Sequence, residues 1–147
     1  MSDVGDAVLA AARGWIGTPY RHQATCRGAG CDCLGLLRGV WREVVGGEPC
    51  EVPAYSRDWA EPAAEETLLA AASAHLVVAR DASRPGDVLV FRMRGRGIAK
   101  HVGILSRVGG AATFIHAYER HGVVESPLSA PWARRIAGRF RFPEEQP

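Results

Sequence analysis

The sequence predicts an α+β protein in which N-terminal helices pack on a C-terminal antiparallel β-sheet. In the first half, apolar residues recur at helical spacing, at Val4, Ala7, Val8, Ala11 and Ala12 and again at Leu34, Leu36, Leu37, Val40, Trp41, Val44 and Val45. After Arg84-Pro85-Gly86-Asp87 the signal switches to short β-prone runs separated by glycine-bearing turns. Helices first and strands second predict segregated layers rather than an alternating parallel sheet. The 147 residues suit one domain, 1–147, long enough to bury a core without covalent staples.

Taken in order, the first helix reads from Asp3 to Trp15, with Ser2 or Asp3 as its cap and Gly17-Thr18-Pro19 as its stop. Residues 21–31, "RHQATCRGAGC", are polar and glycine-rich with no apolar period, and they read as an irregular loop of the kind that carries function. Asp32 is placed to cap a second helix, which sets Cys33 in the first turn, and Gly46-Gly47 close it. A connector rich in Pro, Tyr and Trp (Pro49 to Pro62) leads to an alanine-rich helix from about Ala63 to His75. "DVLVFRM", "HVGILSRV", "ATFIHAY" and "GVVES" then read as strands, with "GRFRF" as a last one.

The net charge of +2 is far from that of a dedicated nucleic-acid binder, so no direct nucleic-acid partner is expected. Nowhere do eighteen apolar residues run together, and "MSDVGDAVLAAARGW" lacks a basic segment followed by a long apolar core. The expectation is a chain made in the cytoplasm, with no signal peptide and no membrane span. In that reducing compartment Cys26, Cys31, Cys33 and Cys50 are expected to be catalytic, metal-binding or inert rather than disulfide-bonded. Zinc is the sharper competitor, since Cys26-x4-Cys31 with Cys33 and Cys50 or a histidine could supply four ligands. Structural zinc usually takes two short-spaced pairs, however, and no second pair exists. No metal or cofactor is therefore expected.

Cys33 is the candidate nucleophile. A thiol at a helix start faces unpaired N–H groups and the positive end of the dipole, which favour thiolate and are expected to pull its pKa below the usual value of about 8.5. The same N–H groups could receive an oxyanion. Such a cysteine needs a base, usually histidine, brought near from elsewhere in the chain. His101 opens "HVGIL" and His116 ends "TFIH", so adjoining antiparallel strands would put both rings on one face, one as base and the other orienting it. His22, His75 and His121 lack that context and read as surface or loop residues. Arg92, Arg94, Arg96 and Lys100 read as a solvated hairpin tip, and Trp15, Trp41, Trp59 and Trp132 as core or cleft wall.

Together, "GTPYRHQATCRGAGCDCLGLL", "RPGDVLVF", "KHVGIL" and "FIHA" resemble the NlpC-type bacterial cell-wall cysteine peptidases, a compact papain-like α+β family, over Trp15 to about Pro127 and in the family's order. The resemblance implies Cys33 as nucleophile in an Asp-Cys-x-Gly motif, His101 as general base and His116 as its orienting partner. It further implies that Tyr20 lends its hydroxyl near the oxyanion and that Asp32 helps hold the peptide on the amine side of the scissile bond. The implied substrate is the peptidoglycan stem peptide, commonly cut between D-γ-glutamate and the diamino acid, without a metal. "HQATCRGAGCDCLGLLRGVW" is most similar to the small peptidases of phage tail modules and gene transfer agents. That implies tail-tip or baseplate hub proteins as partners and action at the cell wall during DNA delivery. Leu34 replaces the serine usual after the family's cysteine, and Gln23-Ala24 stand where paired glycines are common. Cys26, Cys31 and Cys50 are read as structural, with a reversible Cys26–Cys31 disulfide open to the chain after release from the cell. The rival readings are a structural tail component with a vestigial site, and an amidase or acyltransferase on the same scaffold.

Overall fold

The computed structural model describes residues 4–49, 67–93 and 99–144. Among them the chain runs through α1 (Val4–Trp15), β1 (Thr25–Cys26), β2 (Gly30–Cys31), α2 (Cys33–Val44), α3 (Thr67–His75), β3 (Val77–Val78), β4 (Val88–Arg92), β5 (Ala99–Arg107), β6 (Thr113–Tyr118), β7 (Gly122–Pro127), α4 (Ala130–Ala133) and β8 (Ile136–Arg141). The expected α+β layering is what forms. Six strands make one antiparallel sheet in the order β3-β8-β4-β5-β6-β7. Most of the Pro49–Pro62 connector, the start of the expected alanine-rich helix, Cys50, Trp59, Arg94 and Arg96 lie outside the described residues.

Strand alternation divides the sheet into two apolar faces. Val88, Val90, Val102, Ile104, Ile115, Ala117 and Val123 join Val8, Ala12, Trp15, Leu36 and Val40 of the helices in the larger core. Leu89, Phe91, Leu105 and Phe114 point the other way, where Met93, Leu128, Trp132 and Ile136 cover them. The central strands β4 to β6 are thus buried on both sides, which is why "DVLVF" reads as a continuous apolar run rather than an alternating one.

Two helices position the site. α1 ends where Thr18 N–H bonds to Trp15 C=O, and Gly17 (φ 96°) turns the chain so that residues 17–18 exchange backbone hydrogen bonds with Val123 at the sheet edge. Trp15 then lies against Gly39 of α2: a Cβ at Gly39 would sit 2.0 Å from the indole Cζ2, so a larger residue there would separate the helices. The indole N–H donates to Glu43, 2.5 Å away.

Two expectations need correction. Residues 21–31 are not wholly irregular, because Thr25 pairs with Cys31 and Cys26 with Gly30 in a two-residue-per-strand hairpin. Such short strands leave no periodic signal to read. Within this hairpin Cys26 is exposed and Cys31 fully buried, on opposite faces of the ribbon, and both are free thiols. That geometry does not suit the Cys26–Cys31 disulfide. β3, of two residues, and α4, of four, are likewise too short to carry a periodic signal. The "RPGD" turn, by contrast, is firmly built: buried Asp87 accepts from Arg84 N–H (3.0 Å), Arg139 Nη1 (2.8 Å) and Arg141 Nε (2.7 Å), pinning the start of β4 to β8.

Candidate active site

The site grows from the first turn of α2. Asp32 caps the helix: its Oδ1 accepts Gly35 N–H at 2.7 Å, and its Oδ2 accepts Gln23 N–H at 2.7 Å, so one carboxylate ties the 21–26 loop to the helix start. Gly35 permits that closeness, since a Cβ there would lie 1.8 Å from the carbonyl oxygen of Ala24. Gln23 sits at φ 63°, in the left-handed region. This gives a backbone reason for the glycines common at that place in the resembled family, and the Gln23 N–H bond to Asp32 offsets the strain.

Cys33 follows, nearly buried. Three N–H groups at the helix start, those of Cys33, Leu34 and Gly35, have no partner in the preceding turn of helix, because Leu36 N–H makes the first intrahelical bond, to Asp32 C=O. Gly35 N–H goes to Asp32, and Leu34 N–H hydrogen-bonds the thiol, as does Val102 N–H from β5. Burial nevertheless pushes the Cys33 thiol up to about 12, helped by the adjacent Asp32 carboxylate and opposed by these two N–H groups. The expected helix-start thiolate is therefore not the resting state: desolvation and a neighbouring anion outweigh the dipole. Cys31 is raised to about 12 in the same way.

His101 and His116 occupy the face expected of them. The register of β5 on β6, Ile104 opposite Ile115, sets the two rings diagonally on the side away from the helices. His101 Nε2 and His116 Nδ1 are 2.8 Å apart, and His116 Nε2 lies 2.9 Å from Ser126 Oγ on β7. Burial lowers His101 to about 3, aided by His116, and lowers His116 to about 4, aided by His121. Thiol and imidazoles all rest neutral.

The cleft at this end of the sheet is lined by Tyr20, Asp32, Cys33, His101 and Tyr118, with His22, Lys100 and Glu119 among its polar lining. Cys33 and His101 both line it; the thiol takes the N–H of Val102, the residue after His101 on β5, and no hydrogen bond joins sulfur to ring. Tyr20 is held there because Cys31 N–H bonds to Pro19 C=O and Arg21 N–H to Cys31 C=O. Of the expected site residues, His116 alone is absent from the cleft wall; it stands behind His101. His22, read from sequence as a surface residue, lines the cleft, with Nδ1 3.8 Å from Asp32 Oδ2. His121 stacks on Tyr118, rings 5.3 Å apart. Trp132 closes the rear, its ring within 5.2–5.7 Å of those of His101, His116 and Tyr118. Nothing in sequence spacing marks Ser126 or distinguishes Trp132 from the other tryptophans.

A pH dependence of stability follows. Unfolded histidines titrate near 6.5, whereas these two resist protonation until about 3 and 4, so between those limits the unfolded chain binds protons that the native chain refuses. Their contribution is complete above pH 6.5 and is lost as pH falls, by about 2 kcal/mol for each histidine at pH 5. Urea unfolding should show a clearly lower midpoint at pH 5 than at pH 7; equal midpoints would contradict the neutral buried pair.

Fold and cleft define an α+β protein with a helix-start cysteine and an imidazole pair at one end of an antiparallel sheet. The chain belongs to the NlpC/P60 family, whose model matches residues 17–141. Among solved structures it is similar to an NlpC/P60 family protein from Bacillus cereus (22% identity, TM-score 0.63, covering 94% of this chain and 40% of that one). It is likewise similar to NlpC1 from Trichomonas vaginalis (18%, 0.66, 99% and 46%) and to a lipoprotein-like NLP/P60 protein from Staphylococcus aureus (18%, 0.59, 94% and 41%). These likenesses speak for the fold, and the chain spans less than half the length of each of the three. No curated protein matches it. Among the described residues no helix is long and apolar enough to cross a membrane, and no three His, Cys, Asp or Glu side chains are grouped to hold a metal ion.

Proposed function

We propose that the chain is a cysteine endopeptidase of the peptidoglycan stem peptide, cutting between D-γ-glutamate and the diamino acid. The observation that carries this reading is the cleft itself, where Cys33 and His101 face the same space and His116 backs His101 through a 2.8 Å contact, in a chain of the NlpC/P60 family. Because thiol and ring rest neutral, Cys33 attacks the carbonyl as its proton passes to His101, and His101 then delivers that proton to the leaving amine. The oxyanion falls to Cys33 N–H, the donor of the first turn not engaged by the thiol or Asp32, and to the Tyr20 hydroxyl. A water molecule, deprotonated by His101, then releases the acyl-enzyme. Asp32 borders the cleft on the amine side, but its carboxylate also holds the helix cap, so it serves substrate only while keeping that structural duty.

The setting we propose is a phage-like or gene-transfer-agent tail, with tail-tip or baseplate hub proteins as partners and the cell wall as the place of action. It rests on the similarity of "HQATCRGAGCDCLGLLRGVW" to tail-module peptidases. A second reading, a structural tail component with a vestigial site, is favoured by the high thiol pKa and by the missing sulfur–ring hydrogen bond.

Digestion of purified diaminopimelate-containing sacculi, followed by mass spectrometry, decides between them. The endopeptidase should leave the disaccharide carrying only L-alanyl-D-glutamate, and free the diamino acid with its new amine. Release of the whole stem from the sugar would mean an amidase, and unchanged muropeptides would support the vestigial reading.

A further inference from the structure

His101 can take a proton from Cys33 only through Nδ1, because Nε2 is engaged by His116 Nδ1 at 2.8 Å. Neutral His101 must then carry its proton on Nε2 and donate it to His116. His116, accepting at Nδ1, must carry its own proton on Nε2, and the hydrogen-bond partner there is Ser126 Oγ at 2.9 Å. His116 is fully buried, and its ring otherwise packs on Phe114 (4.2 Å), Tyr118 (5.3 Å) and Trp132 (5.2 Å). Ser126 is half-buried on β7, so its hydroxyl can accept from His116 while turning its own proton outward.

We propose that Ser126 is a positioning residue, whose hydroxyl accepts the His116 Nε2–H and so holds both imidazoles in the one tautomer that leaves His101 Nδ1 bare toward the cleft. The proposal rests on the hydrolase reading, which makes His101 the base and so selects this tautomer; the 2.8 Å and 2.9 Å contacts do not depend on it. Without the hydroxyl, His116 Nε2–H would be a buried donor with no acceptor, which is costly. The pair relieves that cost by exchanging tautomers. His116 then protonates Nδ1 and donates to His101 Nε2, while its bare Nε2 faces apolar surroundings. His101 in turn carries its proton on Nδ1, where it cannot accept the thiol's.

The charged and titratable groups around the pair are His121 of the β6–β7 turn, which acts on His116 electrostatically, Tyr118, packed on both rings, Arg135 over the Trp132 ring at 6.0 Å, and Cys33, Asp32, His22, Lys100, Tyr20 and Glu119, which share the cleft with His101. Ser126 Oγ is the side-chain atom hydrogen-bonded to His116 Nε2; a hydroxyl can donate as well as accept, and in the proposed arrangement it accepts, in step with the proton on His101 Nε2.

The test is nitrogen-15 NMR of the histidine rings in a Cys33→Ala background at pH 7, with and without Ser126→Ala. The parent should show Nε2–H on both His101 and His116. Ser126→Ala should move His101 to Nδ1–H, and Ser126→Thr should restore the parent pattern. In the Cys33 protein, Ser126→Ala should lower kcat about ten- to a hundredfold with KM little changed, and threonine should rescue it. A parent His101 protonated at Nδ1, or unmoved tautomers in Ser126→Ala, would overturn the proposal. If Ser126→Ala does not fold, the parent spectrum still decides. The NMR arm reads the same whether or not the protein cleaves peptidoglycan, so failure of the hydrolase reading is separately visible.

Discussion

Cys33→Ala is expected to abolish release of muropeptides from purified sacculi, by at least about a thousandfold, while the protein keeps its fold. The activity change is large because nothing else in the cleft can form the acyl bond. Tyr20 shares the cleft, but a phenol is a far weaker nucleophile toward an amide than the thiol, and it is Cys33 that shares the cleft with His101 at the helix start. The structural change is small, because the lost sulfur is one small buried atom at the edge of the core. His101→Ala should cost nearly as much, and the double variant hardly more than either single one, since a nucleophile without its base and a base without its nucleophile both leave only binding and the oxyanion donors. Cleavage retained in Cys33→Ala, measured beside an unaltered circular-dichroism spectrum, would remove Cys33 from the chemistry.

Gly35→Ala should have the largest effect on the fold. Its Cβ would be placed 1.8 Å from Ala24 O and 2.9 Å from Ala24 C, both backbone atoms that cannot rotate away as a side chain would. The 21–26 loop would have to lift from the helix, and lifting it breaks the Gln23 N–H bond to Asp32 and strains the cap on Gly35 N–H. We expect a loss of about 3 kcal/mol, a fall in Tm of roughly 10 °C for a chain of this size, together with loss of cleavage because Cys33 follows the cap. Gly47→Ala is the control, since a Cβ there meets nothing within 4 Å. A Gly35→Ala protein melting within a degree of the parent would show that the loop is not held as described.

The helical stripes and the strand runs were legible because they are long and periodic; α1, α2 and the strands β4 to β8 fall close to where the apolar pattern puts them. The pairing of His101 with His116 was legible too, because antiparallel alternation by itself decides which residues share a face. The hairpin at Thr25–Cys31 was not, being too short to show a period, and neither was the place of His22, whose loop is bent into the cleft by bonds to Asp32 and Cys31.

The sequence by itself determined the layer order, the cap at Asp32, the place of Cys33 in the first turn, and which two imidazoles could meet. Only the tertiary structure decided the protonation state of that thiol and the partner of His116. Both depend on what surrounds a side chain in three dimensions: burial and a neighbouring carboxylate overcome a helix dipole that spacing alone would favour, and a hydroxyl ten residues away arrives through strand register.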